Sequence, residues 1–473
     1  MRLFLWPLLA VAAAEFNSSL HVHSPIPVSA PLQHWRNVNL VRNVNLDKSY
    51  ARETVNVIAE NVDSTSHWDY YLRFEPGTLD RVGGFTAKDK KDTGRGTFFA
   101  EIWGSDYYKI SLPDPVPPKG QVTLSISYYV LGALQPLPAQ IDQSDKQYVV
   151  HKFSAYAPST YTTAKQKTKL KLPTTDAPDV TTLKVGSEES PQKQGTAFTY
   201  GPFENVEAGK QHEVSVRYEF TKPLTYCTLL EREAEVSHWG GNMATEERFW
   251  LTNRAASLKN HFSRVSYQKS AFFNPAISAL KEMHFVLAPG SSDAYFVDDI
   301  GNVSTSNFRA DSRASTIDIR PRYPLFGAWK YSFRVGWNNE LGKFLRHAGS
   351  GYVLKIPFFE GPRQAEGVAY EKIVTTVILP EGARNVEYET QVPTTNNRTG
   401  LYRTFLDTVG RTTVTVEAKN VVDEMEGELV VRYDYPLSGQ LRKPLSIFAT
   451  MIAIFSASYL ISRLDVSIGS RQL

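Results

Sequence analysis

The sequence predicts a mainly β protein, with two tandem β-sandwich-like halves followed by a single transmembrane helix. Three observations carry that prediction. Runs such as residues 122–130 alternate apolar and polar side chains with period two, the mark of a half-buried strand. Strand-like markers recur at a spacing of about 210 residues. Residues 445–461 (LSIFATMIAIFSASYLI) carry no charge.

Taken in chain order, the first element is a leader. Arg2 precedes an apolar run that closes on Ala12, Ala13 and Ala14, the layout of a secretory signal peptide at residues 1–14. The chain after it is expected to be translocated, which makes both halves luminal. The halves are expected at residues 15–230 and 231–440. Pro76 and Pro289 end similar strand-like runs, as do Pro173 and Pro380, and VRYEF at 216–220 returns as VRYDY at 431–435. Pro- and Gly-rich turns such as 113–120 (PDPVPPKG) and 357–362 (PFFEGP) separate the strands. Short helices are expected at 244–251 and 275–283. Residues 441–463 form the transmembrane region, because the uncharged run covers roughly 25 Å as a helix and Arg442, Lys443 and Arg463 flank it. Ser456, Ala457 and Ser458 offer small side chains for packing against other helices in lipid. With a cleaved leader the topology is single-pass type I, and residues 464–473 form a short cytosolic tail.

Composition narrows the function classes. The chain has 473 residues, 42% hydrophobic and 21% charged, which excludes general disorder. Lys plus Arg number 52 against 49 Asp plus Glu, too even a balance for a nucleic-acid partner. The one cysteine, Cys227, has no partner in the chain, so the luminal body is held by its cores, and a buried thiol is expected.

Motifs for catalysis do not emerge. There is no H-E-x-x-H, G-x-S-x-G, P-loop or G-x-G-x-x-G, and no D-x-D pair of the kind that holds a sugar diphosphate. Gly240-Gly-Asn-Met-Ala244 has the composition of a peptidase substrate loop without its order. His21 and His23 share one side of an extended segment but are two ligands where a closed site needs four. Trp68-Asp69-Tyr70-Tyr71 suits sugar handling and suits a packed strand better. Asp298-Asp299 reads as a solvated turn beside Gly301. Lys165, Lys167, Lys169 and Lys171 share one face of an extended segment, the pattern of a protected edge strand. No catalytic, cofactor or metal site is assigned. Sequons at Asn302, Asn397 and Asn17 are candidate glycan acceptors, Asn17 the weakest because it adjoins the leader.

Six strings carry a family resemblance: 235–240 (EVSHWG), 299–306 (DIGNVSTS), 322–327 (RYPLFG) with Trp329, 378–383 (ILPEGA), 405–408 (FLDT) and 463–468 (RLDVSI). In this order they resemble the ribophorin I family, the first subunit of the oligosaccharyltransferase complex, and the likeness extends more weakly through the first half. The resemblance implies a non-catalytic, single-pass subunit in the endoplasmic reticulum membrane. Its complex moves a preassembled oligosaccharide from dolichyl diphosphate to Asn of N-x-S/T. The implied partners are a multi-spanning catalytic subunit and the other subunits, together with nascent polypeptides, the translocon and membrane lipid. Animal members carry a long cytosolic extension; the ten residues after Arg463 resemble the short-tailed, fungal type. Two rival readings stand beside this one. A stand-alone luminal membrane-anchored module would bind glycans or peptides, and a metal-free glycan hydrolase would act through two carboxylates.

Overall fold

The computed structural model describes residues 31–464 apart from 93, 95, 272–275, 312, 350 and 405–406. The expected signal peptide, Asn17, His21, His23 and residues 465–473 of the tail lie outside the described residues. The described chain is mainly strands, and one pattern of pairing occurs twice.

In the first half, Trp35–Asn45 pairs antiparallel with Ala51–Asn61 and parallel with Thr163–Lys171. In the second, Thr225–Ser237 pairs antiparallel with Asn242–Asn253 and parallel with Ala369–Glu381. Outward on one side come Gln121–Val130 and Val82–Asp89 in the first half, and Lys330–Glu340 and Ser292–Asp298 in the second. The other side is closed by Ala197–Val206 and by Arg411–Val422. A second sheet is built on Tyr148–Ser154 with Glu213–Glu219, and again on Gly351–Pro357 with Glu428–Asp434. Two of the three spaced markers fall on these matching strands, Pro173 and Pro380 at the ends of Thr163–Lys171 and Ala369–Glu381 and the 216–220 and 431–435 strings on Glu213–Glu219 and Glu428–Asp434, so that much of the repetition in sequence is a repetition of topology. Pro76 and Pro289 follow His67–Arg73 and Met283–Leu287, which sit in differently paired sheets.

Each half fills its own core from both of its sheets. Val55 and Leu124 meet Val149 and Val216 in the first, and Ile373 and Val416 meet Leu354 and Val431 in the second. Burial of every second residue along Ala51–Asn61 and Asn242–Asn253 is what a two-layer β structure requires.

Several local expectations change. The strand Thr225–Ser237 runs through the expected division at 230/231, so the second sheet begins at Thr225. Residues 244–251 lie within the strand Asn242–Asn253, whose inward positions include the polar Thr245 and Glu247. Those two residues hide the alternation in the sequence. Described residues 276–282 are not helical, and the helix in this region is Arg264–Ala271. Thr163–Lys171 is paired on both sides, so its four lysines lie on an interior strand and do not guard an edge.

Both repeats bury an arginine at the same topological point. Arg42 stands opposite Thr168 on the parallel neighbour, and Arg232 stands opposite Thr375. Each threonine hydroxyl donates to a carbonyl just beyond the first strand of the second sheet, Thr168 to Ala155 at 2.9 Å and Thr375 to Phe358 at 2.8 Å. Arg42 donates from Nε and Nη2 to both carboxylate oxygens of Glu53, at 2.7 and 2.9 Å. Arg232 donates to Glu247 at 2.6 Å and Glu360 at 2.9 Å. Burial opposes the ionised form of Glu53, but Arg42 and Tyr128 hold it below its ordinary pKa. Burial wins at Glu247, which is pushed up although Arg232 opposes the shift, because one arginine there serves two carboxylates.

The halves meet through close backbone contacts. Ser49 donates its N–H to the Glu366 carbonyl at 2.7 Å, and the Tyr50 hydroxyl donates to Asp423 at 2.7 Å. Asn420 reaches back to the carbonyls of Asp80 and Val82 at 2.8 and 3.0 Å. Gly83 sits so near the Asn420 carbonyl that a side chain at that position would collide with backbone.

Candidate functional site at the root of the apolar helix

Among the described residues, one helix is long and apolar enough to cross a membrane, Arg442–Arg463. Its 22 residues span about 33 Å, enough for a hydrocarbon core of roughly 30 Å. None of its side chains is buried against the rest of the chain, and Phe448, Phe455, Leu460 and Ile461 are all exposed. At its far end the Arg463 guanidinium folds back to hydrogen-bond the Tyr459 hydroxyl at 2.9 Å, keeping the charge beside an amphipathic ring.

Ser456, Ala457 and Ser458 fall on this helix, but three consecutive residues sweep roughly 200° of its circumference and do not make one face. The small residues that align are Ala449, Ala453 and Ala457, one turn apart, with Ser446 and Thr450 beside them. This spacing was open to reading in the sequence, by helical position instead of adjacency.

The helix is rooted in the second half by groups from four separate segments. Asp407, fully shielded, accepts from Lys443 Nζ at 3.0 Å and Arg411 Nε at 3.2 Å. The N–H and hydroxyl of Thr404 donate to the same carboxylate at 2.9 and 2.7 Å. Arg411 also pairs with Glu235, and Glu381 accepts from Thr408 and Val409. Beside these charges lies a mainly apolar cavity of about 430 Å³, lined by Val236, Trp239, Pro380, Tyr435, Pro444 and Ile447. Trp239 is 64% exposed, and its indole N–H donates to the Gln440 carbonyl at 2.7 Å, a placement suited to a membrane interface. His238, kept neutral by burial, meets the Tyr433 hydroxyl at 2.8 Å behind it.

Burial by itself would raise the pKa of Asp407, but the Thr404, Lys443 and Arg411 donors more than offset it and bring the pKa down to about 2. A depressed carboxylate stabilises the fold above its unfolded pKa and loses that contribution as pH falls through the folded value. Asp407→Asn is therefore expected to cost roughly 2 kcal/mol near neutral pH. The difference in denaturation midpoint between wild type and variant should shrink from pH 4 towards pH 2. A gap that stays constant over that range would remove Asp407 from the account of the root.

The sequons are accessible where they are described. Asn302 is exposed on the short strand Gly301–Asn302, and Asn397 is exposed on the edge strand Asn396–Tyr402 rather than in a loop. Asp298 is not in a solvated turn. It is buried, pairs with Arg322, and accepts the N–H groups of Ile300 and Gly301 at 3.0 Å. Cys227 is a buried free thiol whose pKa burial pushes far up.

Residues 235–239, Pro380 and Glu381, with Asp407 and Thr408 of a third string, line or brace the helix root, while Asp298 and Arg322 draw 299–306 and 322–327 together. The ribophorin I family profile matches residues 35–462. A relative from Schizosaccharomyces pombe, dolichyl-diphosphooligosaccharide–protein glycosyltransferase subunit 1, is 31% identical over 434 residues, covering 91% of this chain and 95% of that one. The Caenorhabditis elegans protein of the same name is 36% identical over 364 residues, 77% of this chain and 61% of that one. Subunit 1B from Arabidopsis thaliana is 29% identical over 471 residues, covering 97% of this chain and 99% of that one. The match runs from the first described strand to within one residue of the end of the apolar helix, and on that ground the chain belongs to the ribophorin I family.

Proposed function

We propose that this chain is a non-catalytic subunit of an oligosaccharyltransferase complex in the endoplasmic reticulum membrane. It supports transfer of a preassembled oligosaccharide from dolichyl diphosphate to Asn of N-x-S/T in nascent proteins, with the catalytic residues on another, multi-spanning chain. The observation that carries the reading is the helix root. Three of the family's strings are spent on fixing a large β body to the root of one helix whose apolar surface beyond that root is exposed. A lone helix cannot enclose a lipid-linked substrate, but it can hold the body beside a chain that does. The stripe Ala449, Ala453 and Ala457 is the face we assign to helix packing, and the β body lies in the lumen, type I.

Extraction of the tagged chain in mild detergent tests this. Oligosaccharyltransferase activity and a multi-spanning partner should co-purify, and Ala453→Phe should loosen both. If the chain comes out alone while the activity stays behind, the proposal fails. The same preparation reads the sequons: Asn302→Gln and Asn397→Gln should each remove one endoglycosidase-sensitive step.

A further inference from the structure

At the end of the first half opposite the junction, three side chains from two segments converge. His34 Nδ1 and His67 Nε2 each lie 2.8 Å from the same oxygen, Oδ2 of Asp63. The two imidazoles stack with centroids 3.9 Å apart, and the three ligand-capable atoms fall within 4.8 Å of one another. The side chains are 20% to 32% exposed, so the cluster is open to small solutes.

The frame around them is rigid. Buried Asn61 donates to the carbonyls of Thr65 and Val116 at 2.7 and 2.8 Å and accepts the Asp63 N–H at 2.9 Å, which shapes the loop carrying two of the three groups. Val62 donates its N–H to the His34 carbonyl at 2.9 Å, tying the third to the same loop. The Ser64 N–H donates to the Asp63 carboxylate at 2.6 Å and the Ser64 and Thr65 hydroxyls donate to it at 3.3 Å, which fixes its orientation.

We propose that His34, Asp63 and His67 bind a zinc ion. Two imidazole nitrogens and a carboxylate oxygen are a recurrent zinc donor set, whereas calcium and magnesium select oxygen alone. A tetrahedral ion with bonds near 2.0–2.1 Å spaces its ligand atoms roughly 3.3 Å apart, within a small movement of the present 2.8 Å. With the metal bound, each ring carries its proton on the nitrogen facing away, and the rings tilt out of their stack to aim a lone pair at the metal. Water takes the fourth position, near the Thr65 hydroxyl, which lies 3.2 Å from His67 Nε2. The ion would clip the segment entering at Trp35 to the loop that follows Asn61, in a structural role. This site is independent of the assignment to an oligosaccharyltransferase.

The test uses the full-length chain in detergent, stripped with chelator and titrated with zinc alone. Wild type should retain about one zinc per chain after gel filtration, and cobalt in its place should give a visible d–d absorption band. His34→Gln and His67→Gln should each weaken retention at least about tenfold. Glutamine can keep a hydrogen bond to Asp63, so the zinc-free variants should unfold at the wild-type midpoint. The proposal is overturned if wild type holds no more zinc than the His34→Gln and His67→Gln variants, or if no cobalt band appears.

Discussion

Replacing Arg232 with alanine is expected to cost about 3–5 kcal/mol, a large part of the 5–15 kcal/mol by which a domain of this kind is stable. The substitution leaves Glu247, with no exposed side-chain surface, and the nearly buried Glu360 facing each other without a cation. Chemical denaturation should show the transition of the second half moving sharply while that of the first half stays. Exchanging the group for apolar residues should recover much of the loss, as in Arg232→Met with Glu247→Leu and Glu360→Leu, because a buried ion cluster is costly to break and cheap to replace. Arg42→Ala should repeat the effect in the first half through Glu53. A single variant at Arg232 within 1 kcal/mol of wild type would refute the role given to this centre.

The second large effect is at the junction. Gly83→Ala places a methyl group against the Asn420 carbonyl, and no flexible side chain can move aside. The halves must separate locally, at an expected cost of about 1–3 kcal/mol or more. Because each half has its own core, the result should be uncoupling instead of global unfolding. Hydrogen exchange should rise at Ser49 and Tyr50 and around Asn420 while amides in both cores keep their protection. Gly342, with open space where a side chain would go, is the control, and Gly342→Ala should change neither. Equal effects at the two glycines would refute the close-packed junction.

The parts of this fold that could be read beforehand are those with a one-dimensional signature. Alternation marked Gln121–Val130, Glu213–Glu219 and Glu428–Asp434, an uncharged run marked the spanning helix, and constant offsets marked the duplication. What stayed hidden is polar and buried. Glu247 and Thr245 face inward on Asn242–Asn253, so the strand lost its period and resembled a helix. Asp298 looked like a turn residue because its partner Arg322 is on another segment. The helix root was invisible for the same reason: Glu235, Asp407, Arg411 and Lys443 have no common spacing and become a unit only when the sheet closes. The trio of His34, Asp63 and His67 was equally out of reach, although Asp63 and His67 are four residues apart, because His34 comes from the far side of a hairpin.

The parallel strand at the heart of each repeat also dictates an order of events during synthesis. Val41 must wait for Lys167, and Glu231 for Val374, before either sheet can close. The hairpins holding Arg42 with Glu53, and Arg232 with Glu247, are complete long before that. A chain emerging N-terminus first therefore presents preformed charged hairpins with an open flank, waiting for one late strand. The second such strand, Ala369–Glu381, ends well ahead of the apolar helix at Arg442. The main sheet of the second repeat can thus gain its central parallel pair while the anchoring segment is still being made, so that this closure does not wait for the anchor.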